Sequence, residues 1–484
     1  MVPMIRQQVS SPPSEFASRP CWTCRQRRVV CDTRLPHCVK CTKSGRECLG
    51  YGEKKPVIWV TGMASRGKMA GRTTFAPNSN SNSNPSTNAN ANAVAVAAAA
   101  SPSPENFGKS LMVQWPLSEP RNEPDMRHLE YFLHRCCSEC VIYDRENPFK
   151  RFITLIPQNE ALRHVIIALS ASHRRNSNGA ITLSSRKREF MLDGLVHEQK
   201  AIKGLREAIA KNDQHEAIVA LVLLFIWNDA LQQEGRQSWR YHLHAMRALI
   251  NSRRNTPGWN SFFGNYFEET YAILSIFGST LSKHYQSDVC EVFNESELPV
   301  VLTRAEGSSW TGCPAELLQV LCDVNRGVET ESLTLIDKFN CSQWAAKHHE
   351  TASVIMRTHL AEAYRGAISV YALRVLGRDV VRENVSLVVG RAISHLRQIP
   401  AEDTHFKGIL WPAFVLGAES TDPVHRAVIL EIFQNLSRLL QTWAVNQATI
   451  ILQEIWSNAD QQPSINPQSW LKHVRDKGLE LFLV

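Results

Sequence analysis

CWTCRQRRVVCDTRLPHCVKCTKSGREC, residues 21–48, holds six of the chain's 13 cysteines. The spacing is Cys-x2-Cys-x6-Cys-x6-Cys-x2-Cys-x6-Cys, so Cys21, Cys24 and Cys31 repeat the internal spacing of Cys38, Cys41 and Cys48. A tetrahedral structural zinc needs four ligands, and a Cys-x2-Cys pair supplies two of them from one turn. Three cysteines per half leave each metal one ligand short. If two thiolates bridge, six sulfurs fill eight coordination places, which describes a binuclear cluster. One zinc on four of the six cysteines is the simpler alternative, but it leaves the duplication of the halves unexplained. No apolar signal core precedes the window in MVPMIRQQVSSPPSEF, which points to a reducing compartment and to metal rather than disulfides.

Working outward, charge follows the cysteines. The 484 residues carry 54 Lys+Arg against 46 Asp+Glu, a formal net of +8. Residues 1–75 alone carry 14 basic and 4 acidic side chains, so the remainder is slightly acidic. A short cationic head on a near-neutral body points to a polyanion partner, with nucleic acid ahead of an anionic membrane surface. Arg25, Arg27 and Arg28 lie between the second and third cysteines, Lys40 and Lys43 flank the fifth, and Lys54 and Lys55 follow the cluster.

This window resembles the DNA-binding domain of fungal Zn2Cys6 (zinc-cluster) transcription factors. The resemblance covers its whole length, including Arg25-Gln26-Arg27-Arg28, the Cys31-Asp32 pair and Pro36. It implies two Zn2+ per chain held by Cys21, Cys24, Cys31, Cys38, Cys41 and Cys48, with Cys21 and Cys38 bridging. It also implies that each half is a short helix plus a strand-like return, that Pro36 turns the loop between them, and that Gly45 ends the second helix. A short helix would enter the major groove of double-stranded DNA at CGG-type half-sites. Arg25, Arg27 and Arg28 would then face the bases, with Arg28 donating to guanine. Lys40, Lys43, Lys54, Lys55, Arg66 and Lys68 are expected on phosphates. The competing class is a zinc module that serves as a protein-interaction scaffold. Against it, the basic residues of the window leave the two-zinc module about +3 even after six thiolates are counted.

Behind the head, residues 76–104 contain no charge and no aromatic side chain and cannot bury enough surface to order themselves. The expected organisation is a disordered tail over 1–18, a zinc-cluster domain over 19–50, a basic arm over 51–75, a low-complexity linker over 76–118 and an all-α regulatory domain over 119–484. Helical stripes support the last assignment: Leu162, Val165, Ile166 and Leu169; Trp239, Leu243, Met246 and Ile250; and Ile429, Phe433, Leu436 and Leu440 behind the Thr421-Asp422-Pro423 start signal. The apolar run at 217–227 is too short to cross a bilayer, which needs ~18 residues or more.

RHVIIALSASHRR (163–175) and SWRYHLHAMRALI (238–250) make the body similar to the fungal-specific transcription factor regulatory domain. GYGEKKP and WVTGMASRGKMAGR, beginning at Gly50 and Trp59, resemble regulators of the acriflavine-sensitivity-control type. These resemblances imply a nuclear, RNA polymerase II type regulator of a pathway, such as a secondary-metabolite gene cluster or a drug or stress response. Residues 49–75 lack a heptad repeat, so a homodimer would form through the helical body, and monomeric binding stays open. Gly62-x4-Gly67-Lys68 approaches a phosphate loop but has Met69 where the metal-binding hydroxyl belongs. His134, Cys137 and Cys140 could share a helical face, and the half-buried helix cysteine is the plainer reading. Cys290, Cys313, Cys322 and Cys341 show no informative spacing. No nucleophile elbow or His-Glu-x-x-His motif is present, so no catalysis is expected.

Overall fold

The computed structural model describes residues 16–44, 48–51 and, apart from short stretches between helices, 123–483. The chain divides into two compact units, Met1–Pro104 and Glu105–Val484. The 76–118 linker and the 51–75 arm beyond Tyr51 lie outside the described residues.

In the N-terminal unit, helices α1 (Trp22–Arg27) and α2 (Val39–Lys43) are each started by a cysteine, Cys21 and Cys38, in extended conformation at the N-cap. Among the described residues no strand forms. The expected strand-like return of the first half has no ladder to join: Phe16 and Arg34 make one isolated antiparallel bridge, and the Ala17 amide donates to the Thr33 carbonyl at 2.7 Å. The Leu35–Pro36 peptide is cis and lies in the turn between the halves. Gly45 lies outside the described residues.

The second unit is helical throughout its described length. Each predicted stripe faces its core: Leu162, Val165, Ile166 and Leu169 are buried on helix Glu160–Asn176, and Trp239, Leu243, Met246 and Ile250 on helix Trp239–Arg253. Asp422 caps helix Pro423–Leu440, its Oδ1 accepting from the Val424 amide at 2.8 Å, and satisfies a backbone donor that the helix start would leave open. Ile429, Phe433 and Leu436 are buried there, whereas Leu440 is half-exposed.

The 217–227 run is explained by position. Helix Glu216–Leu231 packs against helices Glu160–Asn176 and Trp239–Arg253, and every residue from Ala217 to Ile226 is buried. A helix enclosed by others has no polar face to keep. Among the described residues, no helix is long and apolar enough to cross a membrane. Helix Phe262–Leu281 is likewise enclosed. Its buried Glu268 and Glu269 take Arg304 at 3.1 and 3.0 Å, so two desolvated carboxylates share one guanidinium. Close approach also has sequence causes: a Cβ on Gly366 would stand 2.5 Å from that of Ala392, and helices Val354–Val375 and Arg382–Arg397 meet at that pair.

Candidate metal centre and nucleic-acid interface

The two halves of the cysteine window build the same local structure twice. The Cys24 amide donates to the Cys21 sulfur at 3.4 Å, and the Cys41 amide to the Cys38 sulfur at 3.3 Å. Each Cys-x2-Cys pair therefore turns with its helix, and both sulfurs of each pair point inward. Cys21, Cys24, Cys38 and Cys41 are fully buried.

The sulfurs converge. Cys21 Sγ lies 3.6 Å from Cys38 Sγ and 3.8 Å from Cys41 Sγ, and Cys24 Sγ lies 3.7 Å from Cys38 Sγ. Two quartets have all their sulfurs within 4.8 Å of one another: Cys21, Cys24, Cys31 and Cys38, and Cys21, Cys38, Cys41 and Cys48. Cys21 and Cys38 belong to both. Zn–S bonds of ~2.3 Å in a tetrahedron put neighbouring sulfurs about 3.8 Å apart, so the observed separations fit zinc and are far too long for the ~2.05 Å of a disulfide.

Electrostatics fits the same group. Burial pushes the Cys21, Cys24 and Cys38 thiols up. Desolvation also acts at Cys31 and Cys48, but amide donors outweigh it. The Cys21 and Thr33 amides bring Cys31 down to about 7, and those of Cys38 and Gly50 lower Cys48. Gathering six thiolates in so small a volume requires compensating positive charge, which two divalent ions supply.

Other contacts hold the halves together. Asp32 Oδ2 accepts from the Val39 amide at 2.9 Å, so a residue of the first half caps the helix of the second. That hydrogen bond holds the Asp32 carboxyl below its usual range. The Trp22 amide donates to the Gly50 carbonyl at 3.0 Å, the Leu49 amide to Thr23 Oγ1 at 3.0 Å, and Tyr51 Oη to the Arg34 carbonyl at 2.7 Å. Sequence reasoning missed Thr23 and Tyr51 because nothing in their spacing marks them.

Arg25, Arg27, Arg28, Lys40 and Lys43 are all exposed. Arg25 stacks over the Trp22 ring at 4.4 Å, and Arg27 Nη1 donates to Ser44 Oγ at 3.3 Å across the two halves. Arg28 closes α1 in the left-handed region at φ 56°, its amide donating to the Arg25 carbonyl at 3.2 Å. Among the described residues none of these five cations forms an ion pair, so their charge is not neutralised within the unit. Lys54, Lys55, Arg66, Lys68 and the Gly62–Lys68 segment lie outside the described residues.

The second candidate metal group does not assemble. His134 is exposed while Cys137 is buried, and a π-helical turn over Phe132–Cys136 shifts the register that would have put them on one face.

The model of the fungal Zn(2)-Cys(6) binuclear cluster domain matches residues 19–56. That of the fungal specific transcription factor domain matches residues 127–330 and 329–484. The chain is similar to the acriflavine sensitivity control protein of Neurospora crassa, at 24% identity over 95% of this chain and 96% of that one. It is also similar to the phomenoic acid biosynthesis cluster-specific transcriptional regulator of Leptosphaeria maculans, at 24% over 91% and 86%. Arginine metabolism regulation protein II of Saccharomyces cerevisiae is 59% identical over 34 residues, 7% of this chain and 4% of that protein. No solved structure matches.

Proposed function

Because the chain belongs to the fungal specific transcription factor family and carries its Zn(2)-Cys(6) binuclear cluster domain, we propose that it reads CGG-type sites in nuclear DNA and controls one pathway. The observation that supports this most is the pair of sulfur quartets sharing Cys21 and Cys38 in a unit that also exposes five cations without ion pairs. The cluster takes two zinc ions. In our reading, Cys21, Cys24, Cys31, Cys38, Cys41 and Cys48 hold them, and Cys21 and Cys38 bridge. Bound zinc supplies the positive charge that keeps the thiolates together, and it does no chemistry on DNA.

The protein's own residues do the reading. Arg28 ends α1 where the chain turns away, so its guanidinium extends past the helix end and donates to guanine O6 and N7 in the major groove. The exposed carbonyls of that helix end accept from cytosine N4. Arg25 and Arg27 flank it, and Lys40, Lys43, Lys54 and Lys55 meet phosphate. Residues 19–50 form the reader, 51–75 a basic arm, 76–118 the tether and 119–484 the regulatory domain, with 1–18 as a tail. A second copy is recruited through the helical body, where Met191, Leu192, Leu195 and Val196 leave one apolar stripe exposed on helix Ser184–Ala210. The relatives' names support a secondary-metabolite gene cluster or a drug response as the pathway, and the protein acts without catalysing a reaction.

Binding of the zinc-loaded protein to duplexes with and without CGG, across a salt series and after chelation, tests the reading. Sequence-specific, salt-sensitive binding that is lost with zinc supports it. A protein partner captured by residues 19–50 with no preference for any duplex would instead make the head a scaffold.

A further inference from the structure

Three helices of the body leave a gap where they meet. Helix Ala315–Asn325 packs against helix Glu297–Ser308 on one side and helix Ser332–Lys338 on the other, and a cavity of about 390 Å³ remains among them. That is within the ~300–1,000 Å³ of small-molecule sites. Its lining is largely apolar: Pro299 comes from the first helix, Leu317 and Val320 from the second, Leu335 from the third and Phe339 from just beyond it. Leu335 is still 51% exposed, so the chain's own residues leave part of this apolar surface uncovered.

The polar groups of the lining are few, and their partners can be accounted for. Thr303 Oγ1 donates to the Pro299 carbonyl at 2.8 Å, so its proton is used within its own helix. Gln319 Nε2 donates to Asp323 Oδ1 at 3.2 Å, whereas Gln319 Oε1 is buried and accepts no hydrogen bond. Asp323 fixes that orientation, since turning the amide over would set two acceptor oxygens against one another. Glu316 and Lys338 also line the cavity, and both are exposed. Glu316 Oε1 has Lys347 Nζ at 3.8 Å, while Lys338 forms no ion pair among the described residues. The cavity thus offers an incoming molecule an apolar lining, one desolvated acceptor and one unpaired cation.

We propose that this cavity binds a small apolar carboxylic acid that carries a hydroxyl group, with the ring system against Leu317, Val320, Leu335 and Phe339, the hydroxyl donating to Gln319 Oε1 and the carboxylate paired with Lys338.

Each part of that ligand answers a feature of the lining. A buried carbonyl oxygen without a donor keeps its desolvation cost until a donor reaches it, and a hydroxyl supplies one without bringing charge inside. Lys338 favours an anion over a cation, because the nearby carboxylate of Glu316 is shared with Lys347. A bound molecule would touch all three helices, so the regulatory unit gains stability in proportion to how far the site is filled. The proposal does not depend on how the zinc head reads DNA.

The test uses the full-length, zinc-loaded protein and three naphthalene probes in equilibrium dialysis: 6-hydroxy-2-naphthoate, 2-naphthoate and 2-naphthylmethylammonium. The hydroxy acid should bind saturably at one per chain, more tightly than the plain acid, with the cation weakest. It should also raise the thermal transition of the helical unit. Gln319→Leu should weaken the hydroxy acid by about tenfold and leave the plain acid unchanged. Lys338→Met should weaken both acids by about two- to fivefold, and Lys338→Arg should restore them. Should Gln319→Leu not fold, the surface variants at Lys338 and the ranking of the three probes still decide. Absence of saturable binding, equal binding of all three probes, or affinities that neither position alters overturns the proposal.

Discussion

Asp32 of the first cysteine half caps the helix of the second through the Val39 amide, 2.9 Å from its Oδ2. The duplicated halves are thus joined by a hydrogen bond as well as by sulfur. Asp32→Ala should leave the zinc stoichiometry intact but speed zinc transfer to a chromophoric chelator by about tenfold, the lower end for groups just outside a metal's ligands. Asp32→Asn, which keeps an acceptor oxygen, should restore most of the retention. Equal release rates for all three proteins would remove this role.

Metal removal should separate the two units. A strong chelator should extract two zinc ions per chain and unfold the N-terminal unit, whose buried side chains are largely the cysteines themselves. The helical unit, with its own extensive core, should keep its thermal transition. Circular dichroism melts with and without chelator check this, and loss of the main transition on chelation would contradict it.

Base reading and phosphate contact should part company by mutation. Arg28→Ala should cost about 1–3 kcal/mol on a CGG site and relax preference at one base pair. Lys43→Ala should weaken all duplexes alike and reduce the salt slope by about 0.9. Titrations on specific and random duplexes distinguish them, and equal losses for Arg28→Ala on both would sink its assignment.

In the helical unit, Arg374 and Glu419 form a buried two-pronged pair at 2.5 and 2.8 Å, and Trp470 Nε1 donates to the same carboxylate at 2.6 Å. Glu419→Ala should destabilise the unit by about 3–5 kcal/mol, because it strands a desolvated guanidinium. Arg374→Met with Glu419→Leu should recover much of that loss in denaturant melts. A single substitution costing no more than the double would show that the pair is not coupled.

Acid should weaken the same unit. His242 stacks on Phe225 with centroids 5.2 Å apart, and burial lowers its pKa to about 4. The unfolded chain takes up this proton near pH 6.5 and the folded one near pH 4. Stability is therefore full above about pH 6.5 and falls as pH drops toward 4, by about 1.4 kcal/mol per unit of separation. His242→Phe should flatten that slope, as pH-dependent urea melts would show.

How much of this was legible in the sequence depends on how local each cause is. The need for two shared sulfurs was, because three cysteines per half leave each metal one ligand short, whereas the choice of Cys21 and Cys38 came from the family resemblance. The stripes of helices Glu160–Asn176 and Trp239–Arg253 were also legible, since period 3.6 is a property of the chain alone. The strand-like return was not, because a strand needs a ladder: residue 34 makes one isolated bridge, to Phe16. The π-helical turn at Phe132–Cys136 defeated the shared-face reading of His134 and Cys137, because register there departs from the helical period.

The sharing of Cys21 and Cys38 between the two quartets has a consequence for supply. A lone ion occupying either quartet uses both shared sulfurs and leaves only two unshared ones, so the next ion can reach four ligands only through sulfurs the first already holds. The two places are therefore filled in dependence on one another, and neither can be altered at Cys21 or Cys38 without disturbing the other.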